Sequence, residues 1–312
     1  THTLSGVQVS GVEKVLLTNF DSNAGLTTID TVLLGNPATV GLASSSATGD
    51  TVFTGMTVLT NAEMKNGSAD LTLTHATTAV DGSSDAISLG VVNTSAGTFT
   101  AASIETLTID SSTTASTLTD VVIDNATVLN VTGSANLTIE SDVDFAANSS
   151  TAAAAIDGTV DASAFTGALD ITLNTGDVVS ATGGSGADNF EFSSGFDQYD
   201  VVDGGAGTDT LAVDAGATAL TKTDFAGVTN VEVLELTPTD DAATFNADGK
   251  TFSTIKATAK QRTYTVTGTI DTAGEDLSYV LNGTTYTIDT AAGTNTAAEI
   301  GAELVASIDA LD

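Results

Sequence analysis

The feature of this sequence that most constrains its fold is a nine-residue pattern that occurs twice. The pattern is G-G-x-G-x-D-x-U-x, in which U is a large apolar residue. It begins at Gly183, as GGSGADNFE, and again at Gly204, as GGAGTDTLA. Because a short repeat cannot bury its apolar residues alone, this repetition predicts that successive turns of the chain stack on one another.

The spacing of the copies supports a continuous repeat. The second copy begins 21 residues after the first, which equals two nonapeptides and a three-residue insertion. A degenerate copy begins at Gly195 and has Asp200 and Val202 at the aspartate and apolar positions. The phase then continues as far as Leu220. The sequence therefore predicts one repetitive segment from residue 183 to residue 220.

The residue types in the pattern suit a calcium-binding turn followed by a short strand. Glycine permits positive φ angles and close backbone approach. Ca²⁺ takes about six to eight oxygen ligands, which turn carbonyls and aspartates can supply. We predict calcium binding between residues 183 and 214. The candidate ligands are Gly183, Ser185, Asp188, Asp197, Asp200, Asp203, Gly204, Ala206, Asp209 and Asp214. The predicted core residues between the two faces of this roll are Phe190, Val202, Leu211 and Leu220.

These nonapeptides resemble those of RTX proteins, which bind calcium and leave bacteria by type I secretion. The segments GVEKVLL at Gly11 and GVTNVEVLEL at Gly227 are similar to units that alternate with RTX nonapeptides in bacterial surface-layer (S-layer) proteins. This second resemblance covers roughly residues 1–240. Together the two resemblances imply a parallel β-roll, bound Ca²⁺ and an extracellular location on the bacterial cell surface.

Residues 1–148 show strand patterning, because apolar residues alternate with threonine, serine, asparagine and aspartate, and we assign residues 1–180 to a β-solenoid-like repeat region. Within this region Val121, Leu129, Leu137 and Phe145 lie eight residues apart. We interpret this spacing as stacked rungs of a β-solenoid. A meander of antiparallel strands is the alternative.

The remaining chain divides into residues 181–250, which contain the calcium-binding roll and the following strand unit, and residues 251–312. A turn-rich hinge around Pro238 precedes the second part. Residues 251–312 are predicted to form a small β-rich module, with a hairpin at Asn282-Gly283 and one terminal helix. The apolar face of that helix would contain Ile300, Leu304, Ile308 and Leu311. The predicted fold class is therefore all-β, with a solenoid or parallel β-roll as its main part.

The formal net charge is −33, from seven basic and 40 acidic residues. This charge attracts cations and repels nucleic acid, which we do not expect as a partner. The chain contains no cysteine, so a disulfide framework and thiolate metal sites are excluded. No apolar run approaches the length of a membrane-spanning helix, so we do not expect a membrane-spanning protein.

Catalytic chemistry has few candidate residues. The only histidines are His2 and His75, and His75 lies in an alternating Leu-Thr segment, where we interpret it as a surface strand residue. Paired carboxylates such as Glu232 and Glu235 could serve a glycosidase, but solvated strand faces explain them better. We therefore expect that the protein is not an enzyme.

The expected function is that of a structural protein, a secreted calcium-dependent component of a bacterial surface layer. Its main partner would be further copies of itself, and a cell-surface polysaccharide is a candidate second partner. Carboxylate pairs such as Asp142 with Asp144, or Asp240 with Asp241, could share bridging calcium ions between copies. Two alternatives stay open, an RTX adhesin or biofilm-matrix protein and a calcium-folding carrier module of a larger secreted protein.

Overall fold

Short β-strands make up nearly all of the regular structure in a computed structural model of the chain. The structure describes residues 2–3, 10–20, 26–143, 145–146, 155–173, 178–192, 195–214, 220–236, 244–247, 249–250, 252–257, 265–266, 277–281 and 284–288. Within these residues the only helical segment is a 3₁₀ turn at Thr31–Leu34.

The strands are short, between two and seven residues each. The first thirteen are β1 His2–Thr3, β2 Lys14–Leu17, β3 Thr27–Asp30, β4 Thr39–Ala43, β5 Thr51–Met56, β6 Asn61–Lys65, β7 Leu71–His75, β8 Ala86–Val92, β9 Thr98–Ala101, β10 Thr106–Ser111, β11 Ser116–Leu118, β12 Asp120–Val122 and β13 Val128–Gly133. The others are β14 Leu137–Val143, β15 Gly158–Asp161, β16 Leu169–Leu173, β17 Val179–Thr182, β18 Asn189–Phe192, β19 Val201–Asp203, β20 Thr210–Val213, β21 Val228–Thr229, β22 Val233–Leu236, β23 Thr244–Phe245, β24 Thr254–Ala257, β25 Thr265–Val266, β26 Leu277–Leu281 and β27 Thr284–Ile288.

Three long sheets run along the molecule, and nearly every strand pairs with the strand one coil away. Sheet A has the order β1-β3-β5-β7-β9-β12, sheet B the order β2-β4-β6-β8-β10-β13-β15-β17-β19-β21, and sheet C the order β11-β14-β16-β18-β20-β22-β24-β26-β27. Among the described strands all pairs are parallel except β26 with β27. The predicted β-solenoid is therefore confirmed, and the antiparallel meander is excluded for the described part of residues 1–150.

The core is a set of buried side-chain columns, because strand register places equivalent residues of successive coils in line. In sheet B, Leu107 pairs with Leu129, and Leu129 pairs with Val160. In sheet C, Phe190 pairs with Leu211. All five residues are fully buried. The predicted core positions of the roll, Phe190, Val202, Leu211 and Leu220, are likewise buried, which confirms that part of the prediction.

The eight-residue spacing separates equivalent positions on adjacent sheets of one coil, and a whole coil is longer. Val121 lies in sheet A, Leu129 in sheet B and Leu137 in sheet C, so each step of eight carries the chain to the next sheet. A complete coil is longer, as shown by the pairing of Leu107 with Leu129. Between β11 and β14 the chain stops extending sheet A and starts sheet C. From β15 to β22 successive strands belong alternately to sheets B and C. Both complete nonapeptides lie in this part of the solenoid.

The first strands after residue 251 continue the solenoid. β24 pairs with β22, and β26 pairs with β24, both in parallel register. β26 and β27 form an antiparallel pair in which Leu281 is opposite Thr284, so the strands of the predicted hairpin are present. The turn at residues 282–283, the hinge around residue 238 and the predicted terminal helix lie outside the described residues. The module boundary at residue 251 stays a prediction.

Acidic side chains have a structural role throughout this fold. Eight carboxylates each accept a hydrogen bond from a backbone N–H group that lies 19 to 28 residues away along the chain. These pairs are Asp50 with Asp70, Asp70 with Thr98, Glu105 with Asp85, Asp157 with Val178, Asp188 with Leu169, Asp200 with Val179, Asp209 with Asp188, and Glu232 with Asp209. Such charge-assisted bonds satisfy backbone donors at the corners between sheets. Part of the acidity of the sequence is therefore built into the coil.

Candidate metal centre

The two complete nonapeptides stack directly, one coil above the other, between sheets B and C. The first forms the turn from β17 to β18 and the second the turn from β19 to β20. Backbone hydrogen bonds connect them, since the N–H of Gly183 donates to the Asp203 carbonyl at 2.7 Å and the N–H of Ala206 donates to the Gly184 carbonyl at 2.9 Å. The spacing of 21 residues is therefore one coil of the solenoid.

Glycine is required in these turns because the backbones touch. Gly205 has φ +88° and Gly207 has φ +148°, values that residues with a side chain rarely adopt. A Cβ atom added at Gly205 would overlap the carbonyl oxygen of Gly184, and one added at Gly207 would overlap that of Gly186. The glycines thus allow the backbone of the second turn to lie against the carbonyl oxygens of the first.

The aspartates of both copies are buried at the end of this turn. Asp188 is 1% exposed and Asp209 is fully buried. The Oδ1 atom of Asp188 accepts from the N–H of Leu169 at 2.8 Å, and its Oδ2 atom accepts from the N–H of Gly184 at 2.7 Å. The Oδ1 atom of Asp209 accepts from the N–H of Asp188 at 2.8 Å. The carboxylates therefore connect each coil to its neighbour.

One buried oxygen in this arrangement has no protein partner. It is the Oδ2 atom of Asp209, which makes no hydrogen bond. The corresponding oxygen of Asp188 is bonded to Gly184, but the N–H of Gly205 donates instead to Oδ1 of Asp203 at 3.1 Å. Burying a carboxylate oxygen without a donor is costly, so this atom is a candidate metal ligand.

The electrostatics around Asp209 favour a cation. Burial is the main cause that raises its pKa to about 6, and the nearby carboxylates of Asp188, Glu232 and Asp203 raise it further. The hydrogen bond from the N–H of Asp188 opposes this shift. Both desolvation and repulsion from the neighbouring carboxylates therefore disfavour the ionised form of Asp209. A bound cation would relieve both.

The other predicted carboxylate ligands do not join this group. Asp200 ends the turn on the opposite edge of the coil, where its two oxygens accept from the N–H groups of Val179 and Asp197 at 3.0 and 2.9 Å. Burial raises the pKa of Asp200 to about 6. Asp197 caps this same turn by accepting from the N–H of Tyr199. Asp214 follows β20, at the far end of that strand.

The residues present suit a hard cation, although the ligands are not a cluster of carboxylates. In the described part of the chain no three His, Cys, Asp or Glu side chains converge on one point. Oxygen ligands are nevertheless available at Gly204. A Cβ atom added there would overlap the carbonyl oxygen of Asn230 and lie 2.8 Å from Oδ2 of Asp209. A mixture of carbonyl and carboxylate oxygens is the ligand type that calcium prefers.

Two residues near Asp209 are absent from the set predicted from sequence. Glu232 accepts a hydrogen bond from the N–H of Asp209 at 2.9 Å, and the Nδ2 group of Asn230 donates to Oδ1 of Asp203 at 2.7 Å. Both belong to the GVTNVEVLEL segment, which the sequence identifies only as a strand unit. The position of Glu232 one coil after Asp209 could have indicated the contact, but only once the coil length was known.

The histidine in β7 differs from its predicted surface position. His75 is half-buried, and its Nε2 atom accepts a hydrogen bond from the N–H of Thr60 at 3.2 Å. Its Nδ1 atom is buried without a partner. Desolvation lowers the pKa of His75 below 6.5, although the negative charge of Asp85 opposes that shift. The interpretation as a surface residue is therefore wrong.

We expect the coils around His75 to lose stability as the pH falls through 6.5. A lowered pKa means that the unfolded chain takes up the proton first, so stability is full above the unfolded pKa and declines below it. An NMR titration of the imidazole should give a pKa below 6.5, and His75→Phe should remove this part of the pH dependence. A pKa of 6.5 or above would contradict the expectation.

Comparison with known protein families, with curated proteins and with solved structures finds no significant match to this chain. Among the described residues there is also no helix that is long and apolar enough to span a membrane.

Proposed function

We propose that this chain is a structural component of a secreted, calcium-dependent bacterial surface layer. The observation that carries the calcium part is the buried Oδ2 atom of Asp209, which has no partner and lies beside stacked glycine turns. Calcium would be held there by carboxylate and carbonyl oxygens and would fix one coil against the next. The nonapeptide resemblance supports the choice of calcium and a location outside the cell.

The solenoid supplies the shape that a lattice subunit requires. Its sheets are long and regular, with ten strands in sheet B and nine in sheet C. Parallel coils of this kind expose flat faces whose side chains repeat from coil to coil. Such faces can pack against copies of themselves over a large area, which supports the proposal that the main partner is the same chain.

The outer face of sheet C also gives calcium a role in assembly. Register places Asp142, Glu191 and Glu235 along one column of this face, separated by Thr172 and Ala212. Desolvation raises the pKa of Glu191, and the charges of Asp170, Glu235 and Asp142 raise it further. Two such faces repel each other at distances within roughly 8 Å at physiological salt. Divalent cations shared between copies would replace that repulsion with a bridge.

The proposal predicts that millimolar calcium drives ordered association of the purified full-length chain, whereas sodium chloride of equal ionic strength does not. Screening by sodium lowers the repulsion but cannot join two carboxylates. Light scattering measures the association, and electron microscopy shows whether the product is a two-dimensional lattice. Equal association in both salts would contradict the bridging mechanism. Calcium binding without a lattice would favour the adhesin or the carrier module.

A further inference from the structure

The two nonapeptides are not equivalent, although their sequences match the same pattern. In the first copy each carboxylate oxygen of Asp188 accepts one backbone N–H, from Leu169 and from Gly184. In the second copy only Oδ1 of Asp209 is bonded, and its partner is the N–H of Asp188. The first carboxylate is therefore satisfied within the protein, and the second is not.

Asp203 accepts the hydrogen bond whose equivalent satisfies the first copy. It occupies the position that Thr182 holds one coil earlier, since Thr182 and Asp203 are paired in sheet B. Its Oδ1 atom accepts from the N–H of Gly205 at 3.1 Å and from Nδ2 of Asn230 at 2.7 Å. The N–H of Gly205 is the equivalent of the Gly184 donor, and in the second copy this donor is bonded to Asp203 and not to Asp209.

The coil after each nonapeptide places a carbonyl oxygen beside its aspartate, but only in the second copy is the neighbouring carboxylate oxygen unbonded in the described structure. Asn230 has φ +50°, and its carbonyl oxygen and Oδ2 of Asp209 both lie over the bare backbone of Gly204. The Glu232 carboxylate is anchored by the N–H of Asp209 at 2.9 Å. The following coil thus places a carbonyl oxygen beside the unbonded oxygen of Asp209 and a second carboxylate at the backbone N–H of the same residue.

We infer that calcium binds between the second nonapeptide turn and the coil that follows it, held by Oδ2 of Asp209, the carbonyl oxygen of Asn230 and the carboxylate of Glu232. This inference rests on the proposed calcium-binding function and assigns two ligands outside both nonapeptides. The first nonapeptide then has a different role, because Asp188 acts as a structural cap and not as a primary ligand. The ion joins the nonapeptide roll to the GVTNVEVLEL unit.

The decisive variant is Glu232→Gln, with Glu105→Gln as its matched control. Both glutamates accept from an aspartate N–H on the neighbouring coil, at 2.9 Å for Glu232 and 2.7 Å for Glu105. Asp85 and Asp209 each also have a buried Oδ2 atom without a partner in the described structure, but Asp85 follows no nonapeptide turn. Glutamine keeps an oxygen acceptor at either position and removes only the charge. Calorimetric titration of calcium into the chelator-treated full chain should show affinity about tenfold lower in Glu232→Gln and unchanged in Glu105→Gln.

A second variant keeps the inference testable if Glu232→Gln disturbs folding. Asp203→Thr gives the second copy the residue of the first, so the N–H of Gly205 becomes free to satisfy Asp209. We expect weaker calcium binding together with a higher melting temperature in chelator.

The outcomes separate the two proposals. If the wild-type chain binds no calcium, the proposed function fails and the inference fails with it. If the wild type binds calcium and both glutamine variants bind it as tightly as the wild type does, calcium binding stands and this site assignment is overturned. A lower melting temperature of Asp203→Thr in chelator would also overturn it.

Discussion

Replacing Asp209 with asparagine should make the calcium-free protein more stable and the calcium-bound protein less stable than the wild type. Burial and the neighbouring carboxylates hold the pKa of Asp209 at about 6, so the ionised form weakens the fold at neutral pH. Removing the charge should stabilise the chelated protein by about 2 kcal/mol. The new amide group would displace no hydrogen bond, because Oδ2 accepts none from the described residues.

In calcium the order should reverse. Ligand binding stabilises the native state by mass action, so calcium at about 100 times its Kd should add about 2.7 kcal/mol to the wild type. Calcium should stabilise Asp209→Asn only slightly, because this variant lacks the carboxylate that binds the ion. Thermal melting in chelator and in calcium measures both effects. If the variant is less stable than the wild type in chelator, the ionised Asp209 carboxylate does not destabilise the calcium-free protein, which would contradict its assignment as a calcium ligand.

Asp200→Asn is the matched control for this experiment. Burial also raises the pKa of Asp200 to about 6, but both of its oxygens accept backbone hydrogen bonds. An amide nitrogen at this position would face an N–H donor, which leaves a buried bond unmade. We expect Asp200→Asn to lose stability in chelator and to keep the stabilisation by calcium, because Asp200 lies on the opposite edge of the coil.

The second large effect is expected from Gly205→Ala, which should cost about 3 kcal/mol of unfolding free energy. About 1 kcal/mol comes from placing a side chain at φ +88°. The rest comes from the Cβ atom, which would overlap the Gly184 carbonyl and force two stacked coils apart. Chemical denaturation of the full chain in chelator measures the loss without any contribution from calcium.

Gly249→Ala provides the control for backbone strain. Gly249 has φ +85°, almost the same as Gly205, but a Cβ atom there would meet no atom of the described residues within 4 Å. This variant should therefore cost only about 1 kcal/mol. If both alanine variants cost the same, the contact between the nonapeptide turns does not contribute, and the stacking of these turns would not be needed for stability.

The class of fold could be predicted from sequence because the repeat and the alternation of apolar residues leave few other solutions. Strands whose apolar side chains recur at positions such as Phe190 and Leu211 can bury them only against neighbouring coils. The nonapeptide pattern also identifies Asp188, Asp200 and Asp209 as candidate calcium ligands. All three are buried in the structure.

Coil length and strand register, which the sequence did not determine, decide which side chains meet. The eight-residue spacing of Val121 and Leu129 is a step between sheets, and the sequence alone does not distinguish that step from a whole coil. The contact of Glu232 with Asp209 depends on a 23-residue separation set by the intervening turns. The diversion of the Gly205 N–H by Asp203 depends on backbone geometry.

The sequence by itself thus determined the all-β class, the stacking of coils at the nonapeptides and the position of the glycine turns, because these follow from local periodicity and backbone freedom. Only the tertiary structure decided that Asp200 and Asp209 lie on opposite edges, that Asp188 is satisfied and that one oxygen of Asp209 is not. The physical reason is that hydrogen-bond satisfaction of a buried carboxylate depends on donors from another coil, which pairing along the solenoid selects.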